Sequence, residues 1–313
     1  MTRIGLAVIP SEHDHPAPAG HPENLPRLAG ALAELEKAEF RKITAPVPER
    51  EYATSMLAAV HDPDYLEMLA TIDRSDWVYL DPDTYATANS FAASCRVTWA
   101  LLSAVDEAMS GGPVGAFVLG RPPGHHACRR RAMGFCLVNH IAVAAQYALD
   151  RHHLKRIAIV DFDIHHGNGT QDFFYERSDV LYVSVHQYPF YPGTGAAMET
   201  GSGAGEGYTR NFPFPGGTGD TEIQEVFERD IAAALHVYRP DLILVSAGFD
   251  GHSADPLGGF RMTGPGYAAI ARILRTSAEQ HCGGRLISIL EGGYNAEGNL
   301  DAITRYIKAL SES

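Results

Sequence analysis

Short apolar segments rich in branched residues alternate with longer segments of helical periodicity, and this alternation limits the folds open to the chain. Apolar runs of this kind are typical of buried strands. The predicted strands are 4–9, 115–119, 156–160, 180–185, 241–247 and 285–290. The predicted helices are 26–40, 90–110, 139–153, 221–238 and 264–280. This order favours an α/β fold, with a mostly parallel sheet and helices on both faces.

The chain has the length and composition of a soluble globular protein. It has 313 residues, of which 45% are hydrophobic and 20% charged, enough to bury a sizeable core. No internal repeat or linker interrupts the pattern, so we predict a single domain over residues 1–313. The first ten residues hold too short an apolar run for a signal peptide, and no run reaches the about 18 residues of a membrane span. We therefore expect no membrane association.

Cysteine spacing and net charge restrict the cellular setting and the partners. Cys95, Cys128, Cys136 and Cys282 lie far apart without a C-x-x-C pair, which favours a reduced, cytoplasmic protein. The net charge is −13, from 38 acidic and 25 basic residues. Nucleic-acid binding needs a basic surface, so we expect no nucleic-acid partner.

The segment that carries the most chemistry directly follows the predicted strand 156–160. If strand geometry continues to His165, Asp161, Asp163 and His165 share one face. Two carboxylates and an imidazole at the carboxyl end of a parallel strand form a candidate metal site. This donor set suits a catalytic zinc ion better than a structural one, which favours four Cys or His ligands. The simpler alternative is that the aspartates end a strand and cap the next helix.

Two further predicted strands also end in chemically useful residues. After 115–119 comes the pair His125-His126, whose side chains titrate near neutrality and can exchange protons with a substrate. Asp250 follows 241–247 and can complete the metal set, although an isolated aspartate there is often only a turn former.

A fourth segment, Glu291–Asn295, follows the last predicted strand. Its glycines allow close approach to a ligand, and the hydroxyl of Tyr294 can donate to a developing oxyanion. A surface tyrosine in a mobile loop is the alternative. Long loops at 120–134, 187–215 and 248–263 also lie at strand carboxyl ends, where an active site is expected.

Together these motifs resemble the histone deacetylase superfamily, which includes bacterial deacetylase-like amidohydrolases and acetylpolyamine amidohydrolases. The matching motifs are His21-Pro22-Glu23-Asn24-Leu25-Pro26-Arg27, His61-Asp62-Pro63-Asp64-Tyr65, Pro122-Pro123-Gly124-His125-His126, Gly134-Phe135-Cys136, 161–171, Pro192-Gly193-Thr194-Gly195, 247–259 and 291–295. They span nearly the whole chain and are closer to class II members than to class I. The resemblance implies the arginase-deacetylase fold and hydrolysis of acetylated amines.

The resemblance also implies a role for each matching site residue. The zinc ligands would be Asp163, His165 and Asp250, with ferrous iron as an alternative occupant in the cell. His126 would act as general base and then general acid, while Asp161 orients His125. The hydroxyl of Tyr294 would polarise the amide carbonyl.

Substrate and potassium sites follow from the same resemblance. Phe135 and Tyr191 match the aromatic pair that walls the acyl-lysine tunnel, and Gly134 lies beside them in the motif. The family's structural potassium ion would be bound partly by Asp161, Asp163 and Ser184.

Three positions depart from the patterns of some relatives. Asn168 replaces the class I aspartate beside the second histidine, which predicts a lower pKa for His126. His140 replaces a common asparagine, and we interpret it as a packing variant. Leu257 occupies the position of the glutamate that selects cationic polyamines in related amidohydrolases, which favours acetyl-lysine or similar acetylated amides as substrates.

Several alternatives remain open. An acetylpolyamine amidohydrolase could place its acidic residues elsewhere, with Glu12, Asp14 and Asp81 as candidates. A binuclear manganese ureohydrolase would need further ligands, yet His166-Gly167 follows His165. A non-catalytic acyl-lysine binding module would be expected to lose a ligand, histidine or tyrosine. The sequence leaves a monomer and a homo-oligomer equally open.

Overall fold

An eight-stranded parallel sheet organises the computed structural model, which describes residues 3–11, 13–73 and 76–312. The strands are β1 (Ile4–Ile9), β2 (Thr44–Pro46), β5 (Gly115–Gly120), β6 (Ile157–Asp161), β7 (Val180–Gln187), β8 (Thr209–Phe214), β9 (Leu242–Ala247) and β10 (Leu286–Leu290), with a small hairpin of β3 (Val78–Tyr79) and β4 (Tyr85–Ala86) outside the sheet. Their order is β2-β1-β5-β10-β9-β6-β7-β8, and every neighbouring pair is parallel. The prediction of a mostly parallel α/β sheet is confirmed.

Helices cover both faces of this sheet, as predicted. They are α1 (Ala29–Leu35), α2 (Ala38–Ile43), α3 (Pro63–Ala70), α4 (Ser90–Ser110), α5 (His140–Arg151), α6 (Asn168–Phe174), α7 (Asp220–Val226), α8 (Ala232–Tyr238), α9 (Gly264–Cys282) and α10 (Ala296–Ser311). Two hydrophobic cores result, one on each face. Phe117 and Leu119 of β5 enter one core and Ala116 and Val118 the other, because strand side chains alternate between faces.

The six predicted strands are all present, and two more lie at the edges of the sheet. Strand β2 is short and ends in Pro46, and β8 contains Pro213, so neither shows the continuous apolar run of a central strand. The prediction that 187–215 is a long loop is therefore wrong in part, since β8 lies within its C-terminal end.

All five predicted helical segments contain helix in the structure, with local differences. The segment 26–40 is not one helix, because Lys37 adopts an extended conformation between α1 and α2. The segment 221–238 is helical throughout, but a π-helical turn at Phe227–Ile231 joins α7 to α8. Across the described ranges, no helix combines the length and apolar character needed to cross a membrane.

The candidate site residues follow strands that are neighbours in the sheet. The central order β5-β10-β9-β6 brings together the carboxyl ends that precede His125, Glu291, Asp250 and Asp163. Because parallel strands end at one edge, side chains far apart in sequence meet in one place, where α/β proteins commonly bind their ligands.

Candidate metal centre

The loop after β6 is held by its own carboxylates. The strand ends at Asp161, so strand geometry does not continue to His165 and strand alternation does not place the three side chains on one face. The Asp163 N–H instead donates to Oδ1 of Asp161 at 3.1 Å, and the His165 N–H donates to Oδ1 of Asp163 at 2.9 Å. These short-range hydrogen bonds compete with the sheet pattern and turn the chain.

Asp163, His165 and Asp250 nevertheless converge. One possible ligand atom from each lies within 4.8 Å of the others. Nδ1 of His165 is 3.1 Å from Oδ1 of Asp163 and 3.0 Å from Oδ2 of Asp250. Both carboxylates are buried, and a cation is the natural partner of two buried negative charges. The chemistry of this donor set fits a divalent metal ion with one nitrogen and two oxygen ligands.

The backbone supports the two carboxylates from neighbouring loops. The Ile164 N–H donates to Oδ1 of Asp250 at 2.9 Å, and the Gly292 N–H donates to Oδ2 of Asp163 at 2.8 Å. A Cβ atom at position 292 would overlap with both carboxylates, so this close approach requires glycine. The orientation of these candidate ligands is therefore fixed by backbone groups outside the candidate ligand set.

Proton affinity in the cluster reflects the closely placed charges. Burial disfavours a charged imidazole, but the hydrogen bonds and charges of Asp163 and Asp250 prevail and raise the pKa of His165 to about 10. Burial and the negative charge of Asp163 raise the pKa of Asp250 to about 7. Both shifts have one cause, the close packing of two buried carboxylates around the His165 ring.

We predict that zinc binding to the metal-free protein releases about one proton at pH 8, because His165 must lose its proton to become a ligand. The folded-state pKa of His165 lies above pH 8, so the apparent affinity should rise about tenfold per pH unit towards it. Isothermal titration calorimetry with a competing chelator, in two buffers of different ionisation enthalpy, measures this release. A binding heat that does not depend on the buffer would contradict the prediction.

The two tandem histidines have opposite electrostatic surroundings. Nδ1 of His125 donates to Oδ2 of Asp161 at 3.0 Å. Burial disfavours the charged ring, but the negative charges of Asp161 and Asp163 outweigh it and raise the pKa of His125 to about 10. His125 is therefore held as a cation.

His126 faces an amide in place of a carboxylate. Its Nδ1 lies 2.8 Å from Oδ1 of Asn168, which can only accept, so Nδ1 carries the hydrogen and Nε2 is left with a free lone pair. Burial and the positive charges of His125 and His165 lower the pKa of His126 well below its usual value. A neutral His126 at pH 7 agrees with the effect expected of Asn168.

Tyr294 lies beside the cluster of Asp163, His165 and Asp250, and a hydrogen bond holds its backbone. Its N–H donates to Oδ2 of Asp255 at 2.6 Å, and its ring packs edge-on against Phe135 at 5.6 Å between centroids. Burial and the carboxylates of Asp250 and Asp163 raise the pKa of Tyr294 well above its usual value. The hydroxyl therefore stays protonated and is available as a hydrogen-bond donor.

Aromatic rings surround the approach to the cluster. The ring of Tyr191 is edge-on to His126, at 5.2 Å between centroids, and Phe190 stacks on His165 at 5.3 Å. Gly134 packs against His126 so closely that a Cβ atom would overlap with the ring. Phe135 is adjacent to Gly134, so the predicted substrate-binding segment contacts His126 directly.

Leu257 and the acidic candidates have different environments. The Leu257 N–H donates to Oδ1 of Asp255 at 2.9 Å, so Leu257 lies on the loop that also holds Tyr294. Asp14 forms an exposed ion pair with Arg96. Burial raises the pKa of Tyr191, and the negative charges of Asp83 and Asp81 raise it further, which places both aspartates near this aromatic approach. Glu12 lies outside the described residues.

Sequence reasoning missed three contributors to the site. Glu291 accepts from the backbone N–H groups of Gly124 and His125, and Asp255 holds Tyr294. Arg27 donates to the carbonyl oxygen of Glu291 at 3.1 Å. All three residues belong to motifs already noted in the sequence, so a charged residue inside such a motif was the available signal, and the structure adds that all three are buried.

Comparisons with known proteins give consistent results. The family model described as "Histone deacetylase domain" matches residues 21–310. The rice (Oryza sativa subsp. japonica) protein "Histone deacetylase 10, chloroplastic" is 38% identical over 306 residues, which cover 92% of this chain and 69% of the relative. The Pseudomonas aeruginosa "Histone deacetylase-like amidohydrolase" is 36% identical over 285 residues, covering 90% and 74%. The crystal structure of the HDA15 HD domain superposes with a TM-score of 0.93 at 36% identity, covering 99% of this chain and 88% of that one.

Proposed function

This chain belongs to the histone deacetylase family, and we propose that it is a zinc-dependent amidohydrolase that removes acetyl groups from acetylated amines, foremost acetyl-lysine side chains. The observation that carries the proposal is the convergence of Asp163, His165 and Asp250 beside a neutral histidine and a protonated tyrosine. Metal ligands, base and oxyanion donor are the parts that hydrolysis of an unactivated amide requires.

Asp163, His165 and Asp250 would hold the metal ion. A zinc ion supplies Lewis-acid polarisation of the amide carbonyl and activation of water when it is bound there. Ferrous iron is the alternative occupant, since the same donors accept it. Metal analysis of protein purified without added metal, followed by reconstitution with each ion, distinguishes the two.

His126 would accept the proton of the attacking water and later deliver a proton to the leaving amine. Its free Nε2 and lowered pKa support the first role, because a base must be neutral at the working pH. His125, kept charged by Asp161, would stabilise negative charge that develops in the same step. Histidine pairs whose pKa values are driven apart commonly divide the base and electrostatic roles.

Tyr294 would donate to the oxyanion while Phe135 and Tyr191 enclose the neutral stem of the acylated amine. The apolar rings suit a methylene chain, and Gly134 allows the loop that carries Phe135 to pack close against His126. Tyr294 also argues against a non-catalytic binding module, because such a module has no use for an oxyanion donor beside intact ligands.

The substrate class depends on the charge near the aromatic approach. Leu257 offers no charge to a polyamine ammonium group, which favours acetyl-lysine. Acetylpolyamine hydrolysis remains the second candidate because Asp81 and Asp83 lie close enough to Tyr191 to affect its pKa. These aspartates are the positions where a cationic tail would bind.

We expect the zinc-loaded protein to show a higher kcat/KM for an acetyl-lysine peptide than for N-acetylputrescine or N-acetylspermidine. The physical reason is that Leu257 contributes apolar contact and no ion pair. Steady-state kinetics on the three substrates measures the preference. A preference for the acetylpolyamines would overturn the Leu257 argument, and Asp81→Asn with Asp83→Asn would then identify the acidic site. Tight binding of the peptide without turnover would instead support the binding module.

The remaining assignments stay predictions. We propose that residues 1–313 form one deacetylase domain, that Asp161, Asp163 and Ser184 hold a potassium ion, and that nucleic acid is not a partner. Asp161 and Ser184 are register partners on β6 and β7, which supports the potassium assignment.

All four cysteines are free, as expected for a reducing cytoplasm. The oligomeric state is open to measurement by light scattering.

A further inference from the structure

The carboxylate of Glu291 joins two loops that come from different strands. Glu291 follows β10 and is fully buried. Its Oε2 accepts from the backbone N–H of Gly124 at 2.6 Å and from that of His125 at 3.1 Å. Its Oε1 accepts from the hydroxyl of Ser246 at 2.9 Å. One side chain therefore binds main-chain atoms of the tandem-histidine loop, which is the segment after β5 that carries Gly124, His125 and His126.

The segment that carries Glu291 is itself fixed to the rest of the site. Next along the chain, the Gly292 N–H donates to Asp163 at 2.8 Å. Two residues further, the Tyr294 N–H donates to Asp255 at 2.6 Å. Since the N–H groups of Gly292 and Tyr294 both have partners on other loops, a side chain anchored here has a rigid base from which to hold another loop.

We propose that Glu291 is a positioning residue that fixes the tandem-histidine loop relative to Tyr294 and the metal ligands. The inference rests on the proposed function of His126 and Tyr294, because positioning has kinetic consequences only if those groups take part in the reaction. Among the hydrogen bonds of the described residues, the Glu291 side chain has none with the proposed metal ligands. Its hydrogen bonds to the histidine segment are made to the main chain of Gly124 and His125.

A carboxylate suits this role because it offers two oxygens in a fixed plane. Burial raises the pKa of Glu291 to about 7, so its carboxyl group is partly protonated near neutral pH. A proton on Oε1 would point to the Ser246 oxygen, and Oε2 would remain the acceptor for both N–H groups. The link between the loops is thus independent of the charge state. Its loss leaves two buried N–H groups without an acceptor, which a folded loop avoids by moving.

The test compares Glu291→Ala with Glu291→Gln in the full chain. The glutamine carbonyl can accept from Gly124 and His125 while its amide group donates to Ser246, so this variant keeps the connection. Ser288→Ala is the matched control, because it removes another buried hydrogen bond on β10, between the hydroxyls of Ser288 and Tyr306 at 2.9 Å, away from the histidine loop. Hydrogen exchange of a peptide covering 121–127 and kinetics normalised to bound zinc are measured for each protein.

We expect Glu291→Ala to lower kcat by about 100-fold, the effect of a displacement near 1 Å in catalytic groups, with KM much less affected. Exchange at Gly124 and His125 should rise in this variant only. Glu291→Gln and Ser288→Ala should keep the parent exchange and most of the parent kcat. Equal losses in Glu291→Ala and Ser288→Ala, or unchanged exchange in Glu291→Ala, would overturn the proposal. A parent protein without deacetylase activity would refute the proposed function, while the exchange result would still decide whether Glu291 holds the loop.

Discussion

Replacing His126 by Gln is expected to lower kcat for acetyl-lysine hydrolysis by about 100- to 10,000-fold, the range for loss of a general acid–base group. Nε2 of His126 carries the free lone pair of the neutral ring, because Nδ1 carries the hydrogen that is donated to Oδ1 of Asn168. Glutamine is of similar size but has no titratable nitrogen. Steady-state kinetics with zinc content measured in parallel separates this loss from a loss of metal. A kcat near that of the parent would contradict the base assignment.

The pH profile of His125→Gln tests whether His125 lowers the pKa of His126. A base works only when unprotonated, so kcat/KM falls as the pH drops through the pKa of His126. The positive charge of His125, whose ring centroid is 4.0 Å from that of His126, is one reason why that pKa is low. Removing this charge should raise the pKa of His126 and move the acid limb of the profile to higher pH. An acid limb that stays in place would show that His125 does not control the proton affinity of His126.

The sequence identified most of the sheet because its central strands are buried on both faces. Such strands are continuous apolar runs, and the chemistry-bearing residues follow them directly, as in Ile157–Asp161 and Leu242–Ala247. The edge strands β2 and β8 carry proline and polar residues, because one side of an edge strand needs no hydrogen-bonded neighbour. Their patterns are therefore not distinguishable from loops.

The site was predictable as a set of residue types but not as a set of contacts. Asp163 and His165 are neighbours in sequence, so their meeting followed from local spacing. The hydrogen bond from the Gly124 N–H to Glu291 spans 167 positions, and the ion pair of Arg96 with Asp14 spans 82. Neither has a periodic signature, since both depend on which strands become neighbours. The role of Glu291 and the pairing of Asp14 therefore required the three-dimensional arrangement.

Replacing Tyr294 by Phe is expected to lower kcat by about 100- to 1,000-fold, the usual effect of losing one oxyanion donor. The change removes only the hydroxyl, so the ring should keep its packing against Phe135 and beneath the Arg27 guanidinium, 5.4 Å from the ring centroid. Zinc affinity and KM should change little, because the hydroxyl acts mainly on charge that develops during the reaction. Kinetics at saturating substrate measures the effect.

Tyr267→Phe is the matched control for Tyr294→Phe. Its ring is fully buried against Phe249, near the carboxylate of Asp250, and its hydroxyl has no hydrogen-bond partner among the residues that the structure describes. Loss of that hydroxyl should leave kcat unchanged. Equal effects of the two substitutions would mean that any phenolic oxygen near the cluster matters through general polarity, and Tyr294 would lose its assignment as oxyanion donor. A large loss of kcat confined to Tyr294→Phe, with KM and zinc affinity unchanged, would show that the Tyr294 hydroxyl stabilises the transition state. Substrate binding and the metal site would then be unaltered, and only the chemical step would be slower.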